Sequence, residues 1–393
     1  MSPAFKVALL VETSNRYGRD LLYGVRDWMH GGEKWTVRLT ERSRLAPLPA
    51  WIKDWNGDGI LARVDSDEIA AQLRRTRLPV VNVSAERSGS EFPRVSIDNA
   101  AVARLAYEHL FNKGLRTFAY IGDARFIWST ERVAEFDARA CGAGYECFHF
   151  RPKSRSAPAP GSDAEAKSIL RWIHSLPKPV GIFACYDGRG QQVLEACQSL
   201  GVKVPDEVAV IGVDNDELLC ELCSPPLTSV LPNARVTGYE AAQMLSRMMR
   251  GEPPGCRTRY VEPVRVIERQ STDAIAVPDA KIAAAVRFIH EHACDRIQVG
   301  DVLREVPMSR TLFEQRFKAI LGHTPHRHIL DRKLERARSL LVETELPMTI
   351  VAELAGFETA SYLSTVFRRE YALSPYAYRK QRRPRKITNI GSA

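Results

Sequence analysis

Long hydrophobic runs are missing from this sequence. None of its apolar stretches approaches the ~18 residues of a membrane span, and the first, Val7 to Val11, is too short for a secretory leader and stops at Glu12. A cytoplasmic chain with no membrane partner is expected. Regular cysteine spacing is missing as well. The eight cysteines are scattered between Cys141 and Cys294 without a disulfide framework, so reduced, structural thiols are expected. Cys220 and Cys223 form a CxxC, but no second ligand pair at zinc spacing and no thioredoxin-like setting accompanies them. There is no G-x-S-x-G elbow, no G-x-x-x-x-G-K loop, no H-E-x-x-H helix and no G-x-G-x-x-G. Nothing therefore announces an enzyme, a cofactor or a catalytic metal. What is present is an ordinary globular composition, 45% apolar and 26% charged over 393 residues, enough for two or three folded units.

The charge is unevenly placed. Residues 1–278 carry 36 basic and 34 acidic side chains, whereas the remaining 115 residues carry 20 and 13. A clustered excess of +7 attracts polyanions, while the nearly neutral first part has no such bias. Lys380, Arg382, Arg383, Arg385 and Lys386 belong to a basic terminus, so the charge alone does not distinguish a DNA-binding face from a solvated tail.

Periodicity separates the same two parts. Up to about residue 270, short β-branched runs (Lys6 to Val11, Thr36 to Thr40, Gly59 to Val64, Pro79 to Ser84, Arg94 to Ile97, Thr117 to Ile121, Glu146 to Phe150, Val180 to Cys185, Val208 to Val213) alternate with amphipathic segments. That pattern predicts a parallel-sheet α/β unit in two halves. Arg151 to Gly161 reads as a surface loop. After a linker at 271–279, residues 280–384 read as all-α, followed by a basic tail at 385–393.

Within the helical part, Val299 to Val306, a Pro307-Met308-Ser309 turn and Arg310 to Leu321 make a helix-turn-helix, with Ser309 as the expected cap. The grammar returns in Ile350 to Ala355, Gly356-Phe357 and Thr359 to Glu370, and the apolar-faced helix Pro325 to Leu341 connects the two. Leu312, Phe313 and Phe317 are expected in the core, and Pro375 is expected to stop a helix. The run from Ile350 to Phe357, with Tyr362 to Phe367, Arg368-Arg369, Leu373-Ser-Pro375 and Tyr378-Arg379, resembles the DNA-binding domain of the arabinose-regulator (AraC) family. The resemblance implies a double-stranded DNA partner. It assigns base reading to Arg310, Thr311, Glu314 and Gln315 on the first recognition helix, and to Ala360, Ser361 and Thr365 on the second. Arg368, Arg369 and Arg379 are expected at phosphates. The small side chains of the second helix suit shape sensing more than direct reading. His323, His326 and His328 are expected to be solvated or to face phosphate rather than hold a metal.

The first part resembles the periplasmic-binding-protein-like sensor domain of the lactose and galactose repressors. The marks are Ile97-Asp98-Asn99, Gly114 to Gly122, Asp187-Gly-Arg-Gly190, Val204-Pro-Asp-Glu-Val208 and Ile211-Gly-Val-Asp214-Asn215. A sensor of that type followed by an arabinose-type domain resembles the regulators of xylose operons. The combination implies a homodimer that activates transcription when a small sugar, a pentose first, closes the two lobes. By position Arg132, Asp187 and Asp214 are the expected hydroxyl-binding set, with Asn15 and Asp98 reaching from the first lobe and Tyr17, Phe126 or Trp128 as stacking rings. Two other readings stay open at this point. Asp187 and Asp214 could be the carboxylate pair of a sugar-processing enzyme, or the sensor could answer to a non-sugar ligand or a protein.

Overall fold

The computed structural model describes residues 4–32, 34–43, 46–85, 92–150, 162–273 and 279–382, so the expected loop at 151–161 and the tail at 385–393 lie outside the described residues. The strands in chain order are β1 (Phe5–Leu10), β2 (Trp35–Leu39), β3 (Gly59–Ala62), β4 (Val80–Asn82), β5 (Arg94–Ile97), β6 (Phe118–Ile121), β7 (Cys147–His149), β8 (Val180–Ala184), β9 (Val208–Val213), β10 (Thr228–Leu231), β11 (Thr258–Val261) and β12 (Arg265–Ile267). They form two sheets, ordered β11-β5-β4-β3-β1-β2 and β12-β10-β9-β8-β6-β7. All pairings are parallel except that of β10 with β12. Helices α1 (Arg16–His30), α2 (Asp67–Thr76), α3 (Asn99–Asn112), α4 (Ile127–Gly142), α5 (Asp163–Ser175), α6 (Asp187–Leu200), α7 (Glu217–Leu222) and α8 (Ala234–Met249) accompany them.

The two halves are interleaved rather than consecutive. The chain leaves the first sheet after β5, builds the second through β10, returns with α8 and β11, and ends in the second with β12. Helix α8 packs on α1 so closely that a Cβ at Gly238 would sit 2.0 Å from the Leu21 carbonyl oxygen, which is why a glycine stands there. The three strands that lay outside the expected list, β10 to β12, are three or four residues long and rich in Thr, Ser and Arg, so their pattern is weak.

The helical part comprises α9 (Ala280–His292), α10 (Val299–Glu305), α11 (Arg310–Leu321), α12 (Pro325–Glu343), α13 (Met348–Leu354), α14 (Ala360–Tyr371) and α15 (Pro375–Arg382). Phe313, Phe317 and Leu321 of α11 close one core with α9 and α10, and Leu363, Val366 and Phe367 of α14 close a second with α13 and α15. Helix α12 serves both, giving Ile329 to the first and Leu334, Ala337 and Leu341 to the second. Gly356 holds φ +76° in the second turn, where a Cβ would meet the Cys294 backbone at 2.7 Å. Three local expectations change. Leu312 is 40% exposed rather than core; Ser309 occupies the cap position without a side-chain hydrogen bond; and Pro375 opens α15 instead of stopping a helix, since α14 already ends at Ala372 with φ +56°.

The sensor extends past residue 270. Ser271 and Thr272 are fully buried, and the Ser271 hydroxyl donates to the Val210 carbonyl at 2.6 Å. Beside them lies the join to the DNA-binding part. Glu268 accepts from Lys113 Nζ at 3.1 Å and from Arg332 of α12 at 2.7 Å. Burial alone would raise its carboxyl, but Arg332, through its charge and hydrogen bond, and Lys113 outweigh burial and hold it well below the usual range. Arg116 also donates to the Ile320 carbonyl of α11.

His328 is not solvated, contrary to expectation. It is 2% exposed and bridges His290 (3.2 Å) and His323 (2.8 Å). Burial, then the neighbouring His323, Arg332 and Lys113, push it down to about 3, and burial likewise lowers His109 to about 3. An unfolded chain takes up these protons near pH 6.5, so stability is full above that pH and falls as the pH drops toward 3, by up to about 1.4 kcal/mol per pH unit for each such histidine. Melting temperatures between pH 7 and pH 5 are expected to fall more steeply for the native chain than for His328→Gln.

Candidate functional site

Each sheet runs in the order 2-1-3-4-5, and open α/β sheets of that order gather ligands at the carboxyl ends of their strands, where the winding direction reverses. In the first lobe that point lies between β1 and β3, and the residues just beyond them are Glu12 and Arg63. A narrow cavity opens there between the lobes, walled by Tyr17, Arg63 and Ser84 from one side and by Asn99, Trp128, Arg132 and Asp214 from the other.

Arg132, 5% exposed, donates through Nε to Asn99 Oδ1 at 2.9 Å and through its terminal nitrogen to the Cys185 carbonyl. Its guanidinium also lies 4.8 Å from the centre of the Trp128 ring, and Phe126 stacks behind that ring at 4.9 Å. The cavity wall thus has an aromatic face beside a fixed cation. Asp214 follows β9 with φ +105°, and Asn215 follows with φ +46°. Two successive non-glycine residues in this sparsely populated region mark a turn whose geometry the surroundings enforce.

Asp187 stands behind that wall. It is 2% exposed, and its two carboxylate oxygens accept from the Ser229 hydroxyl (2.6 Å) and the Asp216 backbone N–H (2.8 Å). Burial, then the charge of Asp214, raise it to about 8, so it carries a proton at neutral pH. Cys220 of the CxxC also bonds to it, and Cys223 donates to the Leu219 carbonyl, which gives both thiols structural roles. Asp98 caps α3 through the Ala101 N–H at 2.9 Å, and its neighbour Asn99 is the residue that reaches the cavity.

In the first lobe hydrogen-bonding capacity is unfilled at Arg63, which lines the cavity, and at Asn15 and Glu12, which do not. Asn15 caps α1 through Oδ1 (2.8 Å to the Gly18 N–H), while its buried Nδ2 has no hydrogen-bond partner among the described residues. Nor have both oxygens of Glu12, 4% exposed, or Nε of Arg63, although the Arg63 guanidinium lies 3.4 Å from Glu12. Tyr17 is pushed up to about 12, chiefly by burial. Glu12, Arg63 and Asn99 were not singled out from the sequence; the strand ends of β1 and β3 were the available signal for the first two.

At the DNA-binding end, Arg310, Thr311 and Gln315 are exposed on α11, and Arg310 pairs with the half-buried Glu314 at 2.9 Å. On α14, Ser361, Thr365, Arg368 and Arg369 are exposed and Ala360 is half-buried. Thr365 returns its hydroxyl to the Ser361 carbonyl (3.1 Å), and Arg369 leans on Glu370 (3.3 Å). Tyr362, 50% exposed between them, adds a large side chain to a helix otherwise lined with small ones. Arg379 donates to the Leu346 carbonyl at 2.7 Å, so it ties α15 to the loop before α13 instead of projecting toward a phosphate.

Comparison with known proteins bears on both ends. A family described as a periplasmic binding protein-like domain matches residues 107–272, one described as the XylR N-terminal domain matches 6–100, and a helix-turn-helix domain matches 302–381. The xylose operon regulatory protein of Escherichia coli (strain K12) is 34% identical over 95% of this chain and 96% of its own length. That of Haemophilus influenzae is 30% identical over 95% and 98%. A solved structure of the xylose-binding transcription activator xylR superposes with a TM-score of 0.62 at 31% identity, covering 98% of this chain and all of that one. No helix among the described residues is long and apolar enough to cross a membrane. These relatives are transcription regulators, which sets aside the reading of Asp187 and Asp214 as a catalytic pair. With its interlobe cleft in front and two helix-turn-helix units behind, the chain belongs to the xylose operon regulatory proteins, a family of sugar-responsive, DNA-binding transcription regulators.

Proposed function

We propose that the cleft binds a pentose, D-xylose first, and that the bound sugar switches a cytoplasmic homodimer to activate transcription from its operator. The observation that carries the sugar reading is the interlobe cavity in which Arg63, whose buried Nε makes no hydrogen bond among the described residues, faces Arg132, Asn99 and Asp214. Buried polar groups without partners are costly, and a polyhydroxylated ring supplies donors and acceptors to both sides at once. A ligand that bridges the lobes favours the closed arrangement by the difference in contacts it makes there. The family's xylose-named relatives point to the same ligand. Dimerisation is supported by Leu218 and Leu222, one turn apart on α7 and 71% and 77% exposed.

Helix α3 offers the route from sugar to DNA. It starts at Asn99 in the cleft and ends beside Lys113, which holds Glu268 against Arg332 of the DNA-binding part. Its 14 residues span about 21 Å as a rigid element. A shift of Asn99 on closure reaches the join without passing through a loop.

Calorimetry against a pentose and hexose panel tests the ligand. D-xylose is expected to bind, Arg132→Ala and Asp214→Asn to weaken it at least tenfold, and Asp187→Asn to act less strongly because that side chain supports Asp214 from behind. Silence of the whole panel would remove the sugar reading. In operator binding, Gln315→Ala is expected to relax sequence preference, whereas Arg368→Ala weakens all DNA alike and lowers the salt slope by about 1. For the coupling, Glu268→Gln is expected to leave sugar affinity within a few-fold while the sugar no longer changes operator affinity; a retained sugar response in that variant would contradict the α3 route.

A further inference from the structure

Away from the cleft and the recognition helices, three metal-ligating side chains converge on the outer edge of the second sheet. β7 is the edge strand there, and strand alternation puts Cys147 and His149 on one face of it. Asp137 comes from α4, which packs against that strand. Sγ of Cys147, a ring nitrogen of His149 and a carboxylate oxygen of Asp137 all lie within 4.8 Å of one another.

The contact between Asp137 and His149 is unusual. Asp137 Oδ1 lies 3.0 Å from His149 Nε2, yet this buried oxygen makes no properly oriented hydrogen bond among the described residues. The two atoms sit side by side rather than donor to acceptor. With bonds of about 2.0–2.3 Å to a tetrahedral zinc, neighbouring donors lie about 3.3–3.8 Å apart, so this pair at 3.0 Å would open by a few tenths of an ångström around an ion, within a cluster that spans no more than 4.8 Å. All three residues are half-buried, open enough for an ion to enter and dry enough to favour charge neutralisation.

We propose that Asp137, Cys147 and His149 form a binding site for a divalent transition-metal ion, zinc first, at the seam between α4 and β7. The donor set of thiolate, imidazole and carboxylate selects such an ion over magnesium or calcium, which prefer oxygen alone. The Cys147 thiol hydrogen-bonds to the Asp137 side chain, so it carries its proton before the ion arrives. Binding breaks its S–H bond, forms the S–metal bond and releases one proton to solvent, with no change of oxidation state. Three protein ligands leave the fourth tetrahedral position to solvent or to Cys141, which lies one turn beyond Asp137 on the same face of α4. The same helix carries Trp128 and Arg132 at its other end, so the ion pins the cleft-forming helix to the sheet edge.

Cobalt(II), added to the full chain after chelator treatment, is the direct probe. One equivalent is expected to give the thiolate-to-cobalt charge-transfer band and the visible bands of a tetrahedral ion, and zinc is expected to displace it and raise the melting temperature. Cys147→Ser and His149→Gln are expected to abolish the charge-transfer band and lower the affinity at least tenfold, respectively. Asp137→Asn, which keeps the shape and removes the charge, is expected to cost at least tenfold in cobalt affinity, and it secures the test if the other variants fold poorly. No charge-transfer band in the native chain, a full band in Cys147→Ser, or unchanged affinity in Asp137→Asn would overturn the assignment.

Discussion

Glu268 receives Lys113 from the sensor and Arg332 from α12, and this shared carboxylate makes one molecule of two folding units. Lys113 is 2% exposed, so its ammonium depends on that partner; an unpaired charge at such a position is costly. Around it, His109, His290 and His328 are kept neutral by burial. The join is therefore polar, with a cavity of about 370 Å³ beside it lined by His109, Lys113, His328 and Arg332, and each charged group there depends on its partner.

The cleft works by the opposite arrangement. Where the join pairs Glu268 with two cations, the cleft leaves Nε of Arg63 without a hydrogen-bond partner among the described residues, and holds Arg132 in place through Asn99 and the Cys185 carbonyl. A fixed cation beside an aromatic face is pre-organised for a ligand with many hydroxyls, since little side-chain freedom remains to be lost on binding. Asp187, buried and hydrogen-bonded through both oxygens, serves that geometry from the second row by holding the turn that displays Asp214.

Most of the architecture was legible because strong periodicity marks it. The nine β-branched runs are nine strands, and α11 has the expected bounds. Where a motif fixed the position, the placement agrees with the expectation: Arg132 and Asp214 line the interlobe cavity, and Arg310, Gln315, Ser361 and Arg368 are exposed on α11 and α14. Elsewhere the misses have local causes. The choice of Asp98 over Asn99 differs by one residue, and at a helix start one residue is a rotation of about 100°. Arg63 follows an apolar strand with no motif around it, and only sheet order brings it beside Glu12. His328 and Arg379 looked like surface residues because their partners, His290 and the Leu346 carbonyl, are 38 and 33 residues away in sequence.

The interleaving of the lobes bears on how the chain is made. The first sheet waits for β11 and the second for β12, so neither is complete until about 267 residues have left the ribosome. Until then β5 and β10 are open strand edges, each able to pair with a neighbouring chain. The strand that closes the second edge leads directly into Glu268. Completion of the sensor and exposure of the docking carboxylate are thus nearly one event in synthesis, and the DNA-binding part emerges onto a sensor whose sheets are already closed.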